Sequence, residues 1–340
     1  MSTWAGTRVL FTGAQGFIGS WVAERLLDEG AEVLVLDRPL TEPSRFGLRG
    51  LPERCTAMSA DLLDHASLCT AIEDHRVQAV FHLAASAIVG SAASSPLDTF
   101  EVNVRGTWNL LEACRVANRP PARIVVASTD KAYGIHEQLP YREDHALQPH
   151  YPYDASKASA DIIARSYAHT FGLPVAVTRF GNVFGGGDFN FSRLIPGTIR
   201  ALLAGERPVI RSDGLMQRDF LYAEDAASAY LAIARSLDRP ELRGRAWNAS
   251  IGRPVSVLEV VTRLVEISGL GLEPDVQGRG TPHGELERQW LDCSAIAADL
   301  GWAPAWDLQR GLQETFRSYT AESGQTQTQA SPAFAARELS

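Results

Sequence analysis

Along the first half of the chain, short apolar runs rich in β-branched residues alternate with longer stretches in which apolar positions recur every three or four residues. The runs Arg8–Thr12, Glu32–Asp37, Ala79–Leu83, Ile124–Ser128 and Val175–Arg179 hold few polar positions, which predicts strands buried on both faces. Between them Phe17–Glu29, Ser67–His75, Pro96–Ala117 and Tyr153–Phe171 have helical spacing. This alternation predicts a doubly wound α/β fold, a parallel sheet with helices on both faces. Beyond residue 180 it loosens into Gly- and Pro-containing loops, with helical spacing at Leu194–Ala204, Ala223–Ser236 and Val257–Ser268 and short strands near Val209 and Trp247. The expected division is a core over 1–180, a smaller substrate-binding cap over 181–320 with some segments returning to the core, and a mobile tail over 321–340, where Gln, Thr, Ser and Ala follow no period.

In such a sheet ligands bind outside the carboxyl ends of the strands, so those ends carry the candidate chemistry. Directly after the first run comes Gly13-Ala14-Gln15-Gly16-Phe17-Ile18-Gly19, and the second run ends on Asp37, followed by Arg38. Glycines there let the backbone turn sharply and approach a pyrophosphate, and the helix that follows offers free N–H groups to it. Asp37 can accept from ribose hydroxyls and would repel a 2′-phosphate, so a Rossmann-type site for NAD is expected, with Arg38 leaving room for NADP. Asp61-Leu62 follows another expected strand; it either contacts the adenine or caps the next helix through Asp61.

Tyr153 and Lys157 stand four apart at the start of a helical segment and therefore share a face. A nearby ammonium and a positive nicotinamide ring favour phenolate, which would make Tyr153 a base for a sugar hydroxyl; otherwise the pair is part of an ordinary amphipathic face. Ser128-Thr129-Asp130-Lys131-Ala132-Tyr133-Gly134 closes the run Ile124–Ser128 and brings hydroxyl and ionisable groups to the same edge.

With these, HLAA at 82–85, EVNVRGTWNLLEA around Asn103, YDASK, RFGNVFGGGD and QRDFLYAED follow one another in an order that resembles the extended short-chain dehydrogenase/reductases, in particular the NAD-dependent epimerase/dehydratase family. The resemblance covers nearly the whole chain. It implies NAD held along Gly13, Gly16, Phe17, Ile18 and Gly19, with Ala84, Ala85, Asn103, Tyr153 and Lys157 lining the cofactor. It also implies transient oxidation of a nucleotide-linked sugar at C4 by a Thr129–Tyr153–Lys157 set. Ser86, Thr129, Asn182, Arg193, Leu194, Arg218, Glu285 and Arg288 would hold the substrate, with Arg218 bidentate on the pyrophosphate. The alternative for Arg218 is an ion pair with Asp219 or Asp225.

Once C4 is a ketone, the C5 proton is acidic, and the neighbouring residues decide the outcome. Asp130-Lys131 resembles the acid–base pair of nucleotide-sugar 4,6-dehydratases, closest to the CDP-glucose type. Asp130, its pKa raised by burial, would protonate the departing 6-hydroxyl, and Lys131, desolvated to the neutral amine, would take the C5 proton; otherwise the two are a mutually neutralising pair at a strand end. A 4-epimerase acting on a UDP-hexose or UDP-hexuronic acid is the alternative, and a catalytically silent NAD-binding sensor is a third reading that the retained Thr129, Tyr153 and Lys157 oppose.

Composition narrows the setting. In 340 residues with a net charge of −8, a nucleic-acid partner is not expected. Cys55, Cys69, Cys114 and Cys293 lack metal-ligand spacing, and no run is long and apolar enough for a membrane span, so free thiols in a cytoplasmic protein are expected. Apolar positions beyond one stripe at Trp108, Leu110, Leu111, Ile162, Ile163 and Tyr167 suggest a subunit contact, and the resemblance implies a homodimer through a four-helix bundle.

Overall fold

The structure is a computed structural model that describes residues 4–37, 43–59, 61–87, 94–280 and 286–328. Seven parallel strands form its central sheet: β1 (Arg8–Thr12), β2 (Glu32–Asp37), β3 (Thr56–Ser59), β4 (Ala79–His82), β5 (Arg123–Ala127), β6 (Val175–Phe180) and, much later in the chain, β11 (Ala246–Ala249). Their order is β11-β6-β5-β4-β1-β2-β3. The order reverses at β1, so the glycine loop after β1 and the segment after β4 open a crevice between them.

Period-two alternation within each strand feeds two cores. Val9 and Phe11 of β1, with Val125 and Ala127 of β5, point to one face, where Trp4, Trp247 and the helices Phe17–Asp28 and Ala223–Ser236 cover them. Leu10, Ile124 and Val126 point to the other, under the helices His65–Asp74, Gly106–Val116 and Pro152–Phe171. The helix Ala223–Ser236 and strand β11 thus belong to the sheet layers although they lie beyond residue 180.

A third core gathers Phe184, Ile195, Ile199, Phe220, Tyr222, Leu264 and Leu312. It joins the helices Leu194–Leu203, Val257–Ser268 and Leu308–Thr328 to small sheets: β7 (Asn182–Phe184) with β10 (Phe220–Tyr222), and β9 (Gln217–Arg218) with β12 (Val255–Ser256) and β14 (Arg288–Gln289). β8 (Val209–Ile210) pairs with β13 (Asp275–Val276).

Three sequence expectations change. The last helix runs to Thr328, eight residues into the expected tail; local composition there lacks a period, and the helix propagates from the packed turns before it. The helix expected over 96–117 is divided into Pro96–Phe100, a π turn Glu101–Arg105 and Gly106–Val116. Leu110 and Leu111, expected in the surplus face, are wholly buried against the sheet, and Ile163 and Tyr167 pack on the same core; Trp108 and Ile162 remain 42% and 56% exposed. Among the described residues no helix is long and apolar enough to cross a membrane, and all four cysteines are free thiols.

Candidate active site

The glycine loop has the shape a pyrophosphate needs. Gly13 has φ +80°, and a Cβ on it would stand 2.4 Å from the Ala84 backbone nitrogen. A Cβ on Gly19 would stand 1.9 Å from the Gly13 carbonyl oxygen, so neither position accepts a side chain without moving backbone. Gly16 caps the helix that begins with Phe17 and Ile18 and offers no side-chain acceptor, so the first N–H groups of that helix stay available to an anion. Across the crevice the Leu83 and Ala84 N–H groups both bond the Thr12 carbonyl, which sets Ala84 and Ala85 as a backbone wall facing the loop. At the end of β2 the Asp37 carboxylate accepts the Gln15 N–H at 3.3 Å, which fixes its orientation beside the loop. These residues fit NAD; Arg38 lies outside the described residues.

Asp61 does not cap the next helix. Asp64 does so, accepting from Ala66 and Ser67, whereas Asp61 accepts from the Leu63 N–H in its own turn. Leu62 packs against Gly106, where an added Cβ would lie 3.1 Å from the leucine Cβ, and its carbonyl accepts from Asn109.

Asn103 explains the π turn. Its side chain accepts from the Ser86 N–H at 2.7 Å, donates to the Ser86 carbonyl at 3.2 Å and donates to Ser156 Oγ at 2.9 Å. Ser156 in turn donates to the Tyr153 carbonyl. One amide therefore pins the segment after β4 to the first turn of the helix that carries Tyr153 and Lys157, and the extra residue in the turn aims it there.

His82, which the sequence offered only as part of a motif, lies buried beneath this junction. Thr107 donates its hydroxyl proton to the Asn103 carbonyl, so its oxygen accepts from His82 Nε2, and His82 Nδ1 accepts from Thr12. Burial, followed by the Lys157 charge, pushes the imidazole down to about 3, so it is a neutral strut.

The reacting groups converge at the ends of β5 and β6. Thr129 caps a short 3₁₀ turn, Asp130–Tyr133, accepting the Lys131 N–H at 3.3 Å and donating to Asp130 Oδ1 at 3.1 Å. Thr129 also acts on the Tyr153 phenol, favouring its ionised form. Asp130 is only 4% exposed, and burial raises its carboxyl above the usual range against the opposing charges of Lys131 and Arg218. Burial, with the Asp130 and Asp154 charges, pushes the Tyr153 phenol up to about 12; Arg193 and Thr129 work the other way. Lys157 is 6% exposed, and burial brings its ammonium down to about 8. No side-chain hydrogen bond joins Lys157 to Tyr153 among the described residues.

The remaining expected residues surround this centre unevenly. Asn182 donates both its backbone N–H and its side-chain amide to the Asp219 carbonyl. Arg193 pairs with buried Asp188 and precedes Leu194, which packs on the third core. Arg218, buried, donates to the Gln217 carbonyl, and its charge reaches Asp130 and Tyr141. Neither ion pair considered for it forms among the described residues: Asp219 accepts from the Leu291 N–H, and Asp225 from those of Ala305 and Trp306. Arg288 lies beside Gln217 on the strand paired to β9, over the Trp290 ring. Glu285 lies outside the described residues.

This geometry agrees with what known proteins share. Residues 9–249 match the model of the NAD dependent epimerase/dehydratase family. The chain is 34% identical to a dTDP-glucose 4,6-dehydratase of Streptomyces griseus, over 92% of this chain and 94% of that one. It is 32% identical to the CDP-glucose 4,6-dehydratase of Salmonella typhimurium, over 91% and 89%. The solved UDP-glucose 4-epimerase of Thermus thermophilus, in complex with NAD, superposes with a TM-score of 0.81 at 32% identity, covering 92% of this chain and 99% of that one. With the crevice, the glycine loop and the family match in agreement, the chain belongs to the NAD-dependent epimerase/dehydratase family and is an NAD-dependent enzyme of the nucleotide-sugar class.

Proposed function

We propose that the enzyme is a cytoplasmic nucleotide-sugar 4,6-dehydratase. The observation that carries this reading is Asp130: a buried carboxyl with a raised pKa, beside the Thr129 hydroxyl, is equipped to give a proton rather than to balance a charge. Bound NAD supplies reversible transfer of hydrogen away from C4 and back to the sugar. Tyr153 takes the proton of the C4 hydroxyl, Thr129 orients that hydroxyl, and Lys157 holds a positive charge that favours phenolate. Lys131, acting as the neutral amine, then removes the C5 proton while Asp130 protonates the 6-hydroxyl, which leaves as water. Arg218 and Arg288 hold the pyrophosphate, Arg193, Leu194, Asn182 and Ser86 the rest of the substrate, and Asp37 the adenosine ribose of the cofactor.

A 4-epimerase is the second reading, supported by the identity to the Thermus enzyme. Incubating the purified protein and NAD with CDP-, UDP-, dTDP- and GDP-glucose separates the two by mass: a product lighter by one water supports the dehydratase, and a new isomer of unchanged mass supports the epimerase. The reading also includes a homodimer through the neighbouring helices that expose Leu97 (71%), Trp108 and Ile162, apolar surface that a second copy would cover.

A further inference from the structure

A buried polar network lies one helical turn below Lys157. Arg179, from β6, and Asp161, from the helix Pro152–Phe171, are both fully buried. They meet in a bidentate pair, Nε to Oδ2 at 2.7 Å and Nη2 to Oδ1 at 3.0 Å. A second, looser contact comes from Arg165 at 3.8 Å. The third guanidinium nitrogen donates to the Tyr133 hydroxyl at 3.0 Å and to the Glu143 carbonyl at 3.2 Å. Tyr133 donates onward to Asn248 Oδ1 at 2.7 Å, and Asn248 donates to the carbonyls of Tyr141 and Asp292. Tyr133 closes the same 3₁₀ turn that Asp130 and Lys131 open. Arg179 is thus tied to both halves of the acid–base centre, the helix bearing Tyr153 and Lys157 and the turn bearing Asp130.

A buried ion pair is weak grounds for stability, since desolvation offsets most of its attraction. Its value lies in fixed geometry: a planar fork held by a carboxylate on one element and a phenol on another sets their spacing. Asp161 is also four residues from Lys157, on the same helix face and in a poorly screened interior, where its charge favours the ammonium.

We propose that Asp161 and Arg179 are positioning residues for the reaction: the pair fixes the catalytic helix against the Asp130–Tyr133 turn, and the Asp161 carboxylate keeps Lys157 charged. This rests on the proposed roles of Tyr153 and Lys157, but it applies equally to a dehydratase and an epimerase. The other groups that face or act on this centre are His82, neutral, from β4, and Asp130, Asp154 and Arg193 around Tyr153.

Two variants test it, with turnover measured on whichever nucleotide sugar the enzyme converts. Tyr133→Phe leaves the ion pair intact and removes its tie to the turn together with the bond to Asn248; kcat should fall about tenfold or more with KM within about twofold, because binding groups are untouched. In the charge-free double variant Asp161→Asn with Arg179→Gln, the alkaline limb of kcat/KM should move to lower pH by roughly half a unit or more. Asp161→Glu, which keeps the charge, should leave the limb where the parent has it. A folded double variant with the parental limb, or a Tyr133→Phe enzyme with parental kcat, overturns the proposal. If the double variant does not fold, the Tyr133→Phe rate alone decides. Failure of the catalytic reading itself would show separately, as turnover surviving in Tyr153→Phe.

Discussion

Replacing Asp130 by Asn isolates the step that distinguishes a dehydratase. Asparagine keeps the shape and can keep accepting the Thr129 hydroxyl at its side-chain oxygen, so the neighbourhood of Tyr153 is preserved while the proton donor is lost. General acid catalysis is worth about 10²–10⁴ in rate, or roughly 3–5 kcal/mol of barrier, and water loss should slow by that factor. Exchange of the C5 proton for solvent deuterium, which needs NAD, Thr129, Tyr153, Lys157 and Lys131 but no acid at the 6-hydroxyl, should slow by less. Stability supplies an independent check. A carboxyl raised by burial lowers stability as pH climbs from its unfolded value through its folded one, so at neutral pH the neutral amide should leave the midpoint of thermal unfolding unchanged or higher. The assay is heavy-water mass spectrometry of the converted nucleotide sugar, run with a thermal melt. Water loss within about threefold of the parent would remove Asp130 as the acid, and a clearly lowered melting point would mean that its charge is a structural need.

Gly13→Ala places a Cβ against Ala84 backbone at a residue with φ +80°, so it should weaken NAD binding in calorimetry by at least about tenfold; parental affinity would show that the loop does not hold the cofactor. Tyr153→Phe should abolish turnover while largely preserving NAD binding; near-parental turnover would remove the phenol from the chemistry. With the Lys157 ammonium brought down to about 8, kcat/KM should fall as pH rises through that region, and a rate flat to pH 10, about two units above it, would contradict its charged role. Light scattering should find a dimer that Ile162→Glu dissociates; a monomeric parent at micromolar concentration contradicts the assembly.

Most of the sheet was legible because its strands are buried on both faces and their apolar runs are unmistakable; β1 and β2 begin and end where the runs do. The glycine loop was legible for a different reason, since close backbone approach leaves glycine as the residue that fits. What periodicity could not reveal was the partner of an apolar face: Leu110 and Leu111 meet the sheet, whereas Trp108 on the same helix meets solvent. Long-range polar pairing was equally hidden. Asp161 and Arg179 are 18 positions apart and nothing in either segment marks the other as its partner, and Asn103 gave no sign that it would open a π turn to reach Ser86 and Ser156. The cap expected of Asp61 fell to Asp64, three residues on, a shift that local composition did not mark.

The most direct measurement follows the hydrogen on C4. A nucleoside-diphospho-glucose deuterated at C4 is converted with NAD present, and the product is located by mass and by nuclear magnetic resonance. The account predicts a product lighter by one water with the deuterium at C6; a product of unchanged mass that retains deuterium at C4 would contradict it and establish the epimerase.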